Sequence, residues 1–86
     1  MHKVEWTEEA LQDLKGLDPI VVTRILKKLS WFSLHFEFMI PEILAGEFAG
    51  TYKLRVGDWR VRFELDRRNR IIVVLRVLHR SQAYRS

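Results

Sequence analysis

In the opening HKVEW, Val4 and Trp6 fall on one side of the chain and polar neighbours on the other, the two-residue period of a short strand. The period then lengthens. Thr7 stands before Glu8 and Glu9, an N-cap residue followed by carboxylates that suit the positive end of a helix, and Ala10, Leu11, Leu14 and Leu17 recur as its buried stripe. Gly16 suits the end of that helix, and Asp18 with Pro19 suits the cap and first position of the next. There Val22, Ile25, Leu26, Leu29 and Phe32 return at helical spacing with Arg24, Lys27 and Lys28 directed outward, to about His35. The two helices should form a short antiparallel hairpin.

The run WFSLHFEFMIPEILAGEFAG is apolar without a clear period and is interrupted by Pro41, Gly46 and Gly50, so it reads as an irregular connection. Strands are expected over Thr51 to Val56, Trp59 to Asp66 and Arg70 to Leu78. The last is nearly continuous Ile, Val and Leu, as in a strand near the middle of a sheet. These elements predict an α+β fold: an N-terminal strand and helical hairpin packed on one face of a small, mostly antiparallel four-stranded sheet, in the order β-α-α-β-β-β.

A two-residue turn at Gly57-Asp58 would set Val56 opposite Trp59, Arg55 opposite Arg60, Leu54 opposite Val61 and Lys53 opposite Arg62. Strand alternation then gathers Tyr52, Leu54, Val56, Trp59, Val61, Phe63 and Leu65 on the helix-covered face, and Lys53, Arg55, Arg60 and Arg62 on the other. A three-residue loop at Arg67 to Asn69 would place Arg76 opposite Arg60 and turn Ile72 and Val74 to the cationic side. A row of like charges is often no more than a solvated surface. Here, however, cations face each other directly, which costs a sheet about 0.2 to 1 kcal/mol per pair, and only Glu64 interrupts them. That pattern suits a polyanion.

Composition narrows the classes. The chain has 86 residues, one domain spanning 1–86, and 48% hydrophobic residues support a true core. It contains no cysteine, which removes disulfide and thiolate chemistry and agrees with a cytoplasmic setting. MHKVEWTEEA lacks the apolar run of a secretory signal, and no apolar stretch approaches a membrane span. A net charge of +4 and a pI near 9.9 favour an anionic partner: RNA, DNA or an acidic protein.

Arg offers phosphate a planar fork, and Lys offers it a compact charge. RNA carries its own nucleophile, the 2′-hydroxyl, so its cleavage requires in-line positioning, proton transfers and stabilised charge on the scissile phosphate. No cofactor is implied. The acids form no recognisable metal motif, and His2, His35 and His79 are scattered. The tail HRSQAYRS adds His79, Arg80, Tyr84 and Arg85, groups able to transfer protons, stack on a base or simply form a basic terminus.

GEFAGTYKLRVGDWRVRFEL, followed by VLRVLHRSQAYR, resembles the RelE/ParE superfamily of type II toxins, specifically its RelE-like branch, and VEWTEEALQDLKGLDP resembles the family's first strand and helical hairpin. The resemblance implies a ribosome-dependent mRNA endoribonuclease, held inactive by a cognate antitoxin, that directs the 2′-hydroxyl at the adjacent phosphate without metal. By motif position it implies site residues Lys53, Arg55, Arg60, His79, Arg80 and Tyr84. Arg60 and Arg80 would hold the phosphate, Lys53 or His79 would accept the 2′-hydroxyl proton, Arg55 would neutralise charge, and Tyr84 would stack or assist proton transfer. Arg62, Arg76 and Arg85 would add attraction for RNA.

The chain departs from the family pattern at Leu78, where relatives commonly carry glycine, so the direction of His79 depends on where the strand ends. It departs again in the apolar segment carrying Trp31, Phe36, Phe38 and Met39, which is either core or a surface for the antitoxin or a second copy. The alternatives are a ParE-like toxin acting on DNA gyrase by protein contact and a non-catalytic RNA- or protein-binding module.

Overall fold

The alternation of the first residues becomes β1 (Lys3–Trp6) in a computed structural model that describes residues 2–35, 42–43 and 51–83. Helix α1 (Glu8–Lys15) starts where Thr7 Oγ1 accepts the Ala10 N–H at 3.1 Å, and α2 (Pro19–His35) starts where Asp18 Oδ1 accepts the Ile20 N–H at 2.9 Å. After β2 (Glu42–Ile43), a short strand absent from the expected set, come β3 (Tyr52–Val56), β4 (Trp59–Asp66), β5 (Ile71–His79) and α3 (Arg80–Ala83). The mixed sheet has the order β1-β5-β4-β3-β2, with β1 parallel to β5 and every other pairing antiparallel.

Ala10 of α1 and Ile25, Leu29 and Phe32 of α2 bury against Leu54, Val61, Phe63, Ile72, Val74 and Val77 of the sheet. Phe32 meets Phe63 edge-on, with ring centroids 5.4 Å apart. Leu11 and Leu26, expected in the buried stripes, are instead 46% and 45% exposed. They lie at the margins of their helical stripes, where a small sheet is too narrow to cover them.

The hairpin register is the expected one, but that of β5 is not. Four residues, 67–70, make the turn: Asp66 accepts from the Asn69 N–H and side-chain amide, and Arg70 takes a φ of 56°. The longer turn and a second shift within β5 together set Arg76 opposite Arg62 and Leu78 opposite Arg60. Next, Phe63 pairs with Val74, so Leu75 is the extra residue of a β-bulge. The extra turn residue puts Ile72 and Val74 in the core rather than on the cationic side, and the bulge returns Arg76 to that side.

The bulge coincides with the end of β1. Past Trp6, the outer edge of β5 loses its strand partner, and the β1–α1 segment replaces it. Thr7 Oγ1 donates to the Leu75 carbonyl at 2.9 Å, and Asp13 of α1 accepts the Val77 N–H at 2.8 Å. Backbone groups that a missing strand would leave unpaired are thus satisfied by side chains.

Candidate functional site

The site is organised by the β3–β4 turn. Gly57 takes a φ of 58°, a left-handed conformation in which any side chain would be strained, and the turn returns the chain so that Arg55 faces Arg60 and Lys53 faces Arg62. Lys53 and Arg60 are only 5% and 8% exposed, while Arg55 is open to solvent. Arg60 Nη1 donates to the Gly57 carbonyl at 2.8 Å and to the Trp59 carbonyl at 2.9 Å, which holds the guanidinium against the turn. Its Nε is buried without an acceptor, and Arg60 has no carboxylate partner among the described residues.

The C-terminal residues approach the same turn. Arg80 N donates to the Asp58 carbonyl at 2.7 Å, and Arg80 Nε lies 3.7 Å from Asp58 Oδ1. Arg60 and Arg80 are therefore anchored to adjacent residues of one turn. His79 pairs with Trp59 across the sheet, its ring edge-on at 5.3 Å, and so lies on the face opposite Arg60. Its Nδ1 receives the Ser81 N–H at 3.2 Å and lies 2.9 Å from Ser81 Oγ.

Arg76 is held differently. Its Nε and Nη2 bond Asp13 Oδ2 and Oδ1 at 2.8 and 3.1 Å, a two-pronged pair at the sheet edge. The Asp13 hydrogen bonds, together with the nearby Asp13 and Glu9 charges, hold its pKa above the ordinary arginine value against the opposing effect of burial. Arg62, between Lys53 and Arg76 in register, is half-buried. Trp31 is partly exposed on α2, stacked on His35 at 4.5 Å. Phe36, Phe38, Met39, Tyr84 and Arg85 lie outside the described residues.

The family model described as the ParE toxin of the type II toxin-antitoxin system parDE matches residues 4–84. The chain belongs to this toxin family. It is similar to Toxin RelG of Mycobacterium tuberculosis, with 29% identity over 84 residues that cover 98% of this chain and 97% of the relative. The toxin–antitoxin complex RelBE2 of the same organism contains a similar chain: TM-score 0.75, 29% identity, 91% of this chain and 96% of that one. The isolated RelE toxin of E. coli has the same fold at 18% identity, with a TM-score of 0.76 over 100% of this chain and 88% of that one. This is a RelE/ParE superfamily toxin.

Among the sequence candidates, the toxin brings Lys53, Arg55 and Arg60 onto one face and ties Arg80 to their turn, but it directs His79 to the other face and Arg76 to Asp13. Sequence reasoning missed Asp13 and Asp58. Asp58 was visible as a turn residue, whereas Asp13 sits amid an ordinary amphipathic helix and has no local signal. No group of three or more His, Cys, Asp or Glu side chains that could hold a metal occurs among the described residues, and no helix among them is long and apolar enough to cross a membrane.

Proposed function

We propose that this toxin is a translation-inhibiting endoribonuclease that cuts ribosome-bound mRNA and is neutralised by a cognate antitoxin. The observation that carries the reading is Arg60: a nine-tenths-buried guanidinium with an unaccepted Nε and no carboxylate among the described residues. Burying a charged donor without its acceptor is costly, so the arrangement is best accounted for by an anion that arrives from outside.

Arg60 and Arg80 grip the scissile phosphate, and Arg55 supplies further positive charge. Lys53 shares the Arg60 face, which supports it as the group that accepts the 2′-hydroxyl proton. The 2′-oxygen attacks phosphorus, the bond to the 5′-oxygen breaks, and a 2′,3′-cyclic phosphate forms. The leaving oxygen takes a proton from a tail group. His79 would supply this proton from Nε2 of its imidazolium form, in which Nδ1–H turns to Ser81 Oγ, 2.9 Å away, and would have to reach round from the face opposite Arg60. Tyr84 is the other candidate for this step.

The solved complexes of RelE-type chains with antitoxins, including those of M. tuberculosis and E. coli, support an antitoxin partner here as well. Its acidic side chains would cover the cationic face and inhibit by occupying the RNA site. Primer extension on mRNA from induced cells tests the activity. Cuts within translated messages, absent from an Arg60→Ala variant that keeps its fold, are expected. The family description names a ParE toxin, which supports a second reading, the ParE-like action on DNA gyrase that the sequence resemblance left as an alternative. Continued translation with collapsed supercoiling would replace the first reading with the second.

A further inference from the structure

Beyond the hairpin turn lies a second basic surface. A groove of about 530 Å³ runs between α2 and the end of β3, where Arg24, Lys27, Lys28 and Trp31 face Arg55, Val56 and Gly57. Among the described residues, no carboxylate lines it. Arg24, Lys27 and Lys28 occupy about one turn of helix, a span of roughly 6 Å. Arg55 closes the other wall. Arg55 also belongs to the cationic sheet face, so the groove and the proposed cleavage site share this residue.

The aromatic residue in this groove separates two ways of holding a nucleic acid. Surfaces for single strands combine cations with free aromatic faces on which bases stack. Trp31 is engaged instead: Lys28 Nζ stands 5.3 Å from the ring centroid, and His35, one turn later, stacks on the indole at 4.5 Å with an interplanar angle of 20°. His35 is itself fixed, with Nδ1 2.8 Å from the Trp31 carbonyl. The indole thus braces two basic side chains, and the groove presents backbone-directed charge rather than a stacking platform.

We propose that this groove docks the sugar-phosphate backbone of an RNA duplex. The inference rests on the reading of RNA as the toxin's partner, and assigns to α2 a sequence-independent contact outside the cleaved strand. A duplex keeps its bases stacked internally and is recognised by shape and phosphate position, which is what a row of cations opposite Arg55 can read.

The test is the salt-dependent binding of the full chain to an RNA duplex of about 16 base pairs and to a short single strand, followed by fluorescence anisotropy. The variant R24Q/K27Q/K28Q changes helix-surface side chains, and circular dichroism checks its fold. It should bind the duplex about 10- to 100-fold more weakly near 0.1 M salt, with a log–log salt slope smaller by about 2 to 3. Trp31→Phe should alter duplex binding less than threefold.

Unchanged duplex affinity and slope in the triple variant would overturn the proposal. So would tighter binding of the single strand with loss in Trp31→Phe, which would mark a stacking site, or displacement of the duplex by polyglutamate at lower concentration, which would mark an acidic protein segment as the occupant. Cleavage enters none of these readings. A chain that fails to cut mRNA yet shows the expected duplex behaviour removes the catalytic proposal alone, and one that cuts with an inert groove removes this one alone.

Discussion

Arg60 and Arg76 come from neighbouring strands of one sheet, and their surroundings make them different instruments. Arg76 spends its fork on Asp13, whose carboxylate also accepts the Val77 N–H, so that its charge is neutralised within the fold. Arg60 is more deeply buried and is offered only carbonyl oxygens of its own turn. A carbonyl orients a guanidinium without cancelling its charge. Arginine at a strand position therefore marks structure in one case and retained charge in the other, and the difference lies in the acceptor.

The contrast is broken most directly by exchanging the fates of the two residues. Arg60→Ala should lower mRNA cleavage by about 100- to 1,000-fold, the usual consequence of removing a group aimed at developing charge, while Arg76→Ala should leave cleavage within about threefold. Equal losses in the two variants, at equal retained helicity, would show that both act through folding. Asp13→Ala should come next, destabilising the chain by about 2 to 3 kcal/mol in urea unfolding, because it leaves both a half-buried guanidinium and the Val77 N–H unpaired.

Asp58→Ala sharpens the comparison from the tail. Its exposed ion pair with Arg80 spans 3.7 Å, and the backbone bond survives the substitution, so cleavage should fall only about two- to threefold. The smallest effect belongs to Asp66. Its pKa is lowered from 3.8, first by the side-chain hydrogen bond to Asn69 and then by the Asn69 N–H. The resulting stabilisation is present above the unfolded value and is lost as the pH falls below about 3.8 through the lower folded value. Urea midpoints measured through this range should decline less steeply for Asp66→Asn than for the natural chain.

Much of this architecture was legible along the chain because it is local. Thr7 and Asp18 cap their helices as their positions require, α2 is helical through His35 as its periodicity indicates, and Gly57-Asp58 sets the hairpin register in advance. Lys53, Arg55 and Arg60 gather as alternation demands. The β5 register failed for an equally definite reason. Its turn has one residue more than expected, and the bulge at Leu75 answers to the end of β1, an event more than sixty residues away in the chain.

From the sequence alone follow the family, the helical layer over the sheet and the cationic face of the hairpin, all consequences of short-range periodicity, turn chemistry and motif. Tertiary structure decided which cations remain available. Asp13 reaches Arg76 only because α1 replaces a missing strand along β5, and Arg80 meets the Arg60 turn only because β5 ends beside it. Which arginine is neutralised and which is left for an incoming phosphate depends on the arrival of an acceptor from elsewhere in the chain. Charge pattern along a strand carries no record of that meeting.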